Sequence, residues 1–268
     1  MNVSDILERN NVTDTGSGDT TLVFAHGFGC DQNMWRFLTP LLAERFRIVK
    51  FDYVGSGNSD ATAFSREKYS SLDGYAQDIV DVCEALELRD TVLVGHSVSA
   101  MTGLIASIEA PHLFRKIAMV CPSPCFLNAP PDYFGGFERA DLEELIDLME
   151  KNYIGWANYL APLVMGTANG EDFVAELSGS FCSTDPVIAK TFARATFFSD
   201  SRPLLPRATH PTLVFQSSED ALASVSVGGF VRDRIPEAEI EIVEAKGHCL
   251  HMTHPAALAP SLARFATC

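Results

Sequence analysis

Six short apolar runs alternate with amphipathic stretches along the chain of 268 residues, and this alternation most constrains the fold. The runs begin at Thr21, Arg47, Thr91, Ile117, Thr212 and Ile240. Most of them are apolar at both alternating positions, as in strands that helices cover on both faces. Residues 72–86 and 256–265 show helical periodicity, and so do residues 35–42, which follow the cap residue Asp31. The sequence therefore predicts an α/β fold, with a mostly parallel sheet flanked by helices.

The alternation stops between Ser123 and about Pro206, where helical stretches occur without a convincing strand. These stretches cover residues 142–149, 156–165, 171–181 and 187–198. Open α/β sheets bind ligands at the carboxyl ends of their strands, so a helical insertion of this length is expected to cover that edge. We therefore expect a core domain formed by residues 1–122 and 207–268, and a helical cap (lid) domain formed by residues 123–206.

Composition argues against several classes of partner. The net charge of −15 disfavours binding to nucleic acid or to an anionic membrane. No apolar run is long enough to span a bilayer, and Met1–Asn11 lacks the features of a secretory signal. The cysteines are odd in number, which favours reduced thiols and a cytoplasmic location; they are Cys30, Cys83, Cys121, Cys125, Cys182, Cys249 and Cys268. A glycine turn at Gly55–Gly57 lacks the third glycine of a dinucleotide loop, so no cofactor is expected. A monomer is the default expectation.

The segment Gly95-His96-Ser97-Val98-Ser99 directly follows the third apolar run and precedes a helix-like stretch of small residues. A serine in this context lies on a tight turn between strand and helix, with its hydroxyl above a parallel sheet. Small residues are needed two positions to either side because strand and helix nearly touch there. The usual pattern has glycine at both positions, whereas this chain has Ser99 at the second. The segment predicts Ser97 as a nucleophile.

Two later strand ends supply partners for this serine. Asp220 follows the fifth apolar run and His248 follows the sixth, which gives the order Ser…Asp…His typical of α/β-hydrolases. In such a triad the histidine acts as the base and the aspartate orients it. The backbone N–H groups of Phe28, in the loop after the first run, and of Val98 are the expected oxyanion donors.

Neighbouring residues leave alternatives to two of these assignments. Glu219 could orient the histidine in place of Asp220, and His251 or His254 compete with His248. These histidines, at three-residue spacing, also suggest zinc. A zinc hydrolase needs a supporting carboxylate and a defined element to hold it, and none is adjacent, so we expect no metal.

Longer strings of sequence extend well beyond the serine motif. They are Gly27–Gln32, Phe51–Gly57, Leu72–Asp78, Gly95–Val98, Gly135–Glu138, Glu150–Trp156, Phe181–Pro186 and Gly247–Cys249. On these strings the chain resembles the RsbQ-like α/β-hydrolases, which positively regulate a bacterial stress sigma factor. It is also similar to the related strigolactone and karrikin receptor hydrolases of plants. Residues 99–101 are closer to the plant receptors, whereas the cap and residues 247–249 are closer to the RsbQ-like proteins.

The resemblance implies an α/β-hydrolase fold with a four-helix cap inserted after the sixth strand, over a small, closed, apolar pocket at Ser97. Matching positions imply that six residues line the pocket: Phe28, Phe126, Phe137, Leu145, Leu160 and Phe197. Such a lining favours a small hydrophobic ester or lactone. The resemblance also implies a role in stress signalling and a phosphatase with a PAS sensor domain as partner.

We therefore expect a serine esterase or lactonase with a signalling role. A ligand-binding receptor module with little turnover is the alternative, because a receptor and an enzyme can carry the same triad. A cofactor-free haloperoxidase or a lyase on the same fold is a third hypothesis.

Overall fold

A computed structural model describes residues 3–267 of the chain, so Met1, Asn2 and Cys268 lie outside the described residues. The strands are β1 Thr13–Thr15, β2 Thr21–Ala25, β3 Arg47–Lys50, β4 Thr91–His96, β5 Phe114–Val120, β6 Thr212–Glu219 and β7 Ala238–Lys246. The helices are α1 Val3–Arg9, α2 Leu72–Ala85, α3 Val98–Glu109, α4 Arg139–Lys151, α5 Tyr153–Met165, α6 Glu171–Ser183, α7 Pro186–Phe197, α8 Val225–Arg234, α9 Leu250–Thr253 and α10 Pro255–Thr267.

The seven strands form one sheet in the order β1-β3-β2-β4-β5-β6-β7. All pairs are parallel except β1 with β3. The central strand β4 lies between β2 and β5, with Val94 paired to Phe24 on one side and to Ala118 on the other. The predicted α/β fold is confirmed, and the six apolar runs correspond to β2–β7. The short β1 was not predicted.

Helices cover both faces of the sheet, as the apolar runs require. Along β2, Leu22 and Phe24 join a core that includes α10, whereas Val23 and Ala25 join a core that includes α2 and α3. Burial of apolar surface at about 25 cal/mol per Å² on both faces is the main force that holds the three layers together. None of the helices within residues 3–267 is both long enough and apolar enough to cross a bilayer.

Helical structure after Asp31 differs from the prediction. Instead of one helix over residues 35–42, two short 3-10 turns are present, at Gln32–Trp35 and Thr39–Leu41. The Asp31 carboxylate does accept a hydrogen bond from the Asn33 N–H (2.7 Å), as a cap residue would. Pro40 is the second residue of the second turn and has no N–H to continue a helix. The apolar spacing alone was therefore misleading.

Four helices, α4 to α7, lie between β5 and β6 and carry the stretches predicted as helical. They follow the fifth strand and not the sixth, because the N-terminal segment contributes only the short β1 to its edge of the sheet. Trp156 of α5, Phe181 of α6 and Phe197 of α7 contact Phe28, in the loop that follows β2. These helices therefore pack over the carboxyl end of the sheet. Their separation as a domain of residues 123–206 stays a prediction.

Candidate active site

Ser97 lies at the turn between β4 and α3, with φ +55° and ψ −121°. This positive φ is costly for a residue with a side chain and persists only where the surrounding structure enforces it. Strand and helix approach closely at the turn: a Cβ on Gly95 would lie 2.3 Å from the Ser99 carbonyl oxygen. Glycine is therefore required at position 95, while the backbone at position 99 leaves room for a serine.

The three predicted triad side chains meet at this turn. His248 Nε2 lies 2.7 Å from Ser97 Oγ, and His248 Nδ1 lies 2.7 Å from Asp220 Oδ2. The other carboxylate oxygen accepts hydrogen bonds from the N–H groups of Leu222 (2.9 Å) and Ala223 (3.1 Å). The side chains of His248 and Asp220 are 2% and 0% exposed, so water does not compete for these contacts. The geometry permits the serine to pass its proton to the imidazole.

The backbone of His248 is held from two sides. Its N–H donates to the Val164 carbonyl of α5 (2.8 Å), and its carbonyl accepts from His96 Nε2 (3.0 Å). The preceding residue, Gly247, has φ +92°, and a Cβ there would lie 2.1 Å from the Met165 carbonyl oxygen. The loop after β7 is thus fixed between the serine turn and α5, which sets the position of the imidazole.

The alternative residues lie in different surroundings. Glu219 is largely exposed and pairs with Lys246 at 3.0 Å. His251 is fully buried, and neither ring nitrogen has a hydrogen-bond partner among residues 3–267. Burial, aided by repulsion from His248, lowers the pKa of His251 to about 3. His254 Nδ1 lies 2.9 Å from the Thr253 hydroxyl. Among residues 3–267, the His248 ring is hydrogen-bonded to Asp220 and not to Glu219, and Ser97 is hydrogen-bonded to His248 and not to His251 or His254.

The spaced histidines do not converge on a metal site. Within the described part of the chain, the one group with potential ligand atoms inside 4.8 Å of one another is Cys121, Asp220 and His248. Two of these residues are hydrogen-bonded to each other, and the second imidazole nitrogen of His248 contacts Ser97. Burial and the neighbouring Asp220 raise the pKa of the Cys121 thiol well above its usual value, so it stays protonated. This arrangement fits a proton-transfer triad better than a set of metal ligands.

The predicted oxyanion donors flank the serine turn. Val98 is the first residue of α3, so its N–H has no acceptor within the helix. The Phe28 N–H makes no hydrogen bond to another group in residues 3–267. The loop that carries Phe28 packs closely against the serine turn. A Cβ on Gly27, the residue before Phe28, would lie only 2.5 Å from His96 Nδ1. Both N–H groups are available, and their role stays a prediction.

A cavity of about 30 Å³ lies at Ser97 and is bounded mainly by apolar side chains. Four of the six predicted pocket residues line it: Phe28, Phe126, Leu160 and Phe197. Phe137 and Leu145 instead line a cleft of about 640 Å³ that residues of α4 and α5 border. Leu160, Phe197 and Leu222 border both spaces. The site thus has a narrow inner cavity beside a larger outer cleft.

Comparison with known families agrees with this geometry. A model of the alpha/beta hydrolase family matches residues 22–261. The chain belongs to the alpha/beta hydrolase family. Most of its length, including the serine turn and the loop that carries His248, falls within the match.

Relatives of this hydrolase match nearly end to end. The karrikin insensitive 2 receptor CA of Petunia hybrida is 39% identical, over 97% of this chain and 96% of its own. The strigolactone esterase D14 of Arabidopsis thaliana is 37% identical, over 98% of both chains. The structure of a hydrolase from Oleispira antarctica has a TM-score of 0.98 and 55% identity, covering 99% of this chain and 97% of that one. The resemblance to the plant receptor hydrolases is therefore confirmed.

Sequence reasoning missed several residues that line the inner cavity of the hydrolase. They are Cys30, His96, Val164, Leu177, Phe181, Thr196, Leu222 and Cys249. Cys249 is next to His248 and Leu222 is close to Asp220, so proximity to the triad would have indicated these two. Thr196 carried no such signal, because it lies in a helix far from the triad in sequence.

Proposed function

We propose that the protein is a serine hydrolase that cleaves a small hydrophobic ester or lactone. The observation that carries this proposal is the continuous set of short contacts from Ser97 through His248 to Asp220, each 2.7 Å. All three groups are buried beneath helices α5 to α7, where electrostatic interactions are stronger than in water.

The reaction follows from the positions of these groups. His248 Nε2 accepts the hydroxyl proton of Ser97 while Oγ attacks the substrate carbonyl. The N–H groups of Phe28 and Val98 stabilise the oxyanion, and Asp220 stabilises the imidazolium. The imidazolium then gives its proton to the leaving oxygen. A water molecule, activated by the same imidazole, releases the acyl group from Ser97.

The cavity limits the part of the substrate that stays on the serine. The acyl group remains bonded to Ser97 after the leaving group departs, so it must occupy the space around this residue. A volume of about 30 Å³ with an apolar lining suits a short acyl group. The outer cleft of about 640 Å³, bordered by α4 and α5, offers room for the remainder of the molecule.

The test is hydrolysis of p-nitrophenyl acetate by a Ser97→Ala variant. We expect kcat to fall by about 10⁴-fold or more, since the remaining residues of a triad contribute little alone. Ser107→Ala is the matched control, because Ser107 lies in α3, the helix that follows Ser97, and its hydroxyl donates to the Leu104 carbonyl (2.8 Å). Full activity in Ser97→Ala would overturn the proposed function.

A second candidate is a ligand receptor whose triad contributes little turnover. The relatives in Petunia hybrida that bear the name receptor favour it. The two candidates separate in the Ser97→Ala variant, once a ligand is known from a screen of esters and lactones by thermal shift. A receptor keeps its signalling output in this variant, whereas an output that depends on turnover is lost although the ligand still raises Tm.

We further propose that this chemistry serves a cytoplasmic stress-signalling pathway, in which a monomer positively regulates a sigma factor through a phosphatase with a PAS domain. The strings shared with RsbQ-like proteins, such as Gly135–Glu138 and Glu150–Trp156, support this role. The helical cap of residues 123–206 would then be the ligand-dependent domain. Activation of a purified PAS-domain phosphatase by the wild-type protein tests the partnership, and no activation would overturn it.

A further inference from the structure

One hydroxyl at the inner cavity has no partner in the described structure. Thr196 lies in the last turn of α7 and is 2% exposed. It lines the cavity that also contains Ser97 and His248. Its Oγ1 is buried and makes no hydrogen bond to any group in residues 3–267. A buried hydroxyl without a partner costs about 1–3 kcal/mol, so this position calls for an explanation.

Thr196 differs in this respect from the other threonine of the same helix. Thr191 Oγ1 donates to the Val187 carbonyl four residues earlier (2.8 Å), as threonines in helices commonly do. That bond uses the one donor of the Thr191 hydroxyl within the helix. The Thr196 hydroxyl lacks such a bond, although it lies in the same α-helix.

The rest of the cavity offers the hydroxyl little to bind. Ser97 and His248 already contact each other, and the thiols of Cys30 and Cys249 are weak hydrogen-bonding groups. Apart from His96, whose Nε2 donates to the His248 carbonyl and whose Nδ1 makes no hydrogen bond in residues 3–267, the remaining lining is Phe, Leu and Val.

We propose that Thr196 is a specificity-determining residue that hydrogen-bonds an oxygen on the acyl group of the substrate. The inference rests on the proposed function, because the acyl group must occupy the cavity while it is bonded to Ser97. It narrows the substrate from a hydrophobic ester or lactone to one whose short acyl part carries a hydroxyl, ether or carbonyl oxygen. A site with a buried polar group discriminates against an analogue that leaves this group unpaired.

The test uses two pairs of p-nitrophenyl esters, and the members of each pair differ only by a hydroxyl in place of a terminal methyl. The glycolate replaces the terminal methyl of the propionate by hydroxyl, and the 3-hydroxypropionate does the same for the butyrate. We measure kcat/KM for each ester with the wild type and with Thr196→Val, which exchanges hydroxyl for methyl at nearly equal volume. Comparing the ratio within a pair between the two proteins cancels the different intrinsic reactivities of the esters.

We expect Thr196→Val to lower the ratio of hydroxy ester to alkyl ester by about 2- to 10-fold in at least one pair, as for the loss of one hydrogen bond. Thr191→Val is the matched control and leaves both ratios unchanged. Equal ratios in the wild type and Thr196→Val for both pairs would overturn the inference, and would assign the hydroxyl to a bound water or to packing alone.

The inference is tested separately from turnover. In the Ser97→Ala background, binding of the intact esters is followed by the increase in Tm. The hydroxy ester gives the larger increase, and adding Thr196→Val removes that difference. If Ser97→Ala hydrolyses the esters at full rate, the proposed function fails, whatever the ratios show. If Ser97→Ala is inactive but the ratios do not depend on Thr196, only the inference about Thr196 fails.

Discussion

Two buried histidines three residues apart show how differently the same side chain is used at this site. His248 contacts Ser97 through one ring nitrogen and Asp220 through the other, each at 2.7 Å. His251 is equally buried, but neither nitrogen has a partner among residues 3–267. The first imidazole can accept and stabilise a proton, whereas the second is held in the neutral form. Burial alone therefore does not mark a functional histidine.

His251 is retained in the core by its ring, which packs against two others. The ring centroids of Trp35 and His96 lie 4.5 Å and 4.3 Å from that of His251. Aromatic pairs of this kind contribute about 0.5–1.5 kcal/mol beyond the area they bury. Leaving both ring nitrogens without partners costs a comparable amount. His251 is thus a packing residue whose polar atoms oppose, rather than support, its burial.

The difference between His248 and His251 should have its largest effect on catalysis. His248→Ala should lower kcat for p-nitrophenyl acetate by about 10⁴- to 10⁶-fold, because loss of one member disables a triad that acts as a unit. His251→Leu, which conserves volume in the core, should change kcat less than about 10-fold. Steady-state kinetics of the two variants tests this difference. A comparable loss in both would show that His251 takes part in the chemistry.

Two adjacent carboxylates at the end of β6, those of Glu219 and Asp220, sharpen the comparison. Asp220→Asn should lower kcat by about 10⁴-fold, since an amide at this position holds the wrong tautomer of the imidazole. Glu219→Gln removes the negative charge of the residue next to Asp220. The Glu219 side chain is 59% exposed and pairs with Lys246. An exposed ion pair contributes little, so kcat should stay within about 2-fold. A large loss in Glu219→Gln would reassign the acid to Glu219.

Much of the fold was predictable because strand burial leaves a direct mark on the sequence. Most of the runs that became β2–β7 are apolar at successive positions, as expected of strands covered on both faces, whereas β7 alternates apolar residues with Glu. The three-residue β1 has no such mark, since it is an antiparallel edge strand whose residues are largely exposed. The region after Asp31 was mispredicted because apolar residues at helical spacing also occur in consecutive 3-10 turns.

The meeting of Ser97, Asp220 and His248 was predictable for a different reason, which does not extend to the whole site. Parallel strands end at one edge of the sheet, so residues that follow β4, β6 and β7 must lie near one another whatever their separation in sequence. Hydrogen bonding inside the core follows no such rule. Whether His251 or Thr196 finds a partner depends on side-chain packing among α7, the loops and α9. The order of residues in the sequence does not indicate whether these two side chains find a hydrogen-bond partner.

The smallest predicted effect concerns stability at acid pH. The pKa of His251 is about 3 in the folded protein because of burial, whereas an unfolded chain gives about 6.5. The unfolded state therefore binds a proton first as the pH falls, so the stability that depends on a neutral His251 is present above pH 6.5 and is lost progressively between pH 6.5 and 3. Between pH 7.5 and 5, this group should account for about 2 kcal/mol of lost stability.

His251→Leu removes that linkage, so urea unfolding of the wild type and the variant at both pH values measures it directly. The wild type should lose about 2 kcal/mol more than the variant on acidification. His96 is buried with a lowered pKa as well and adds a loss of the same sign; burial is the main cause of its lowered pKa and is common to both proteins, so most of this loss cancels in the comparison. An equal loss in the two proteins would mean that, in solution, His251 has a hydrogen-bond partner that stabilises its protonated form. His251 would then no longer differ from His248 in lacking a partner.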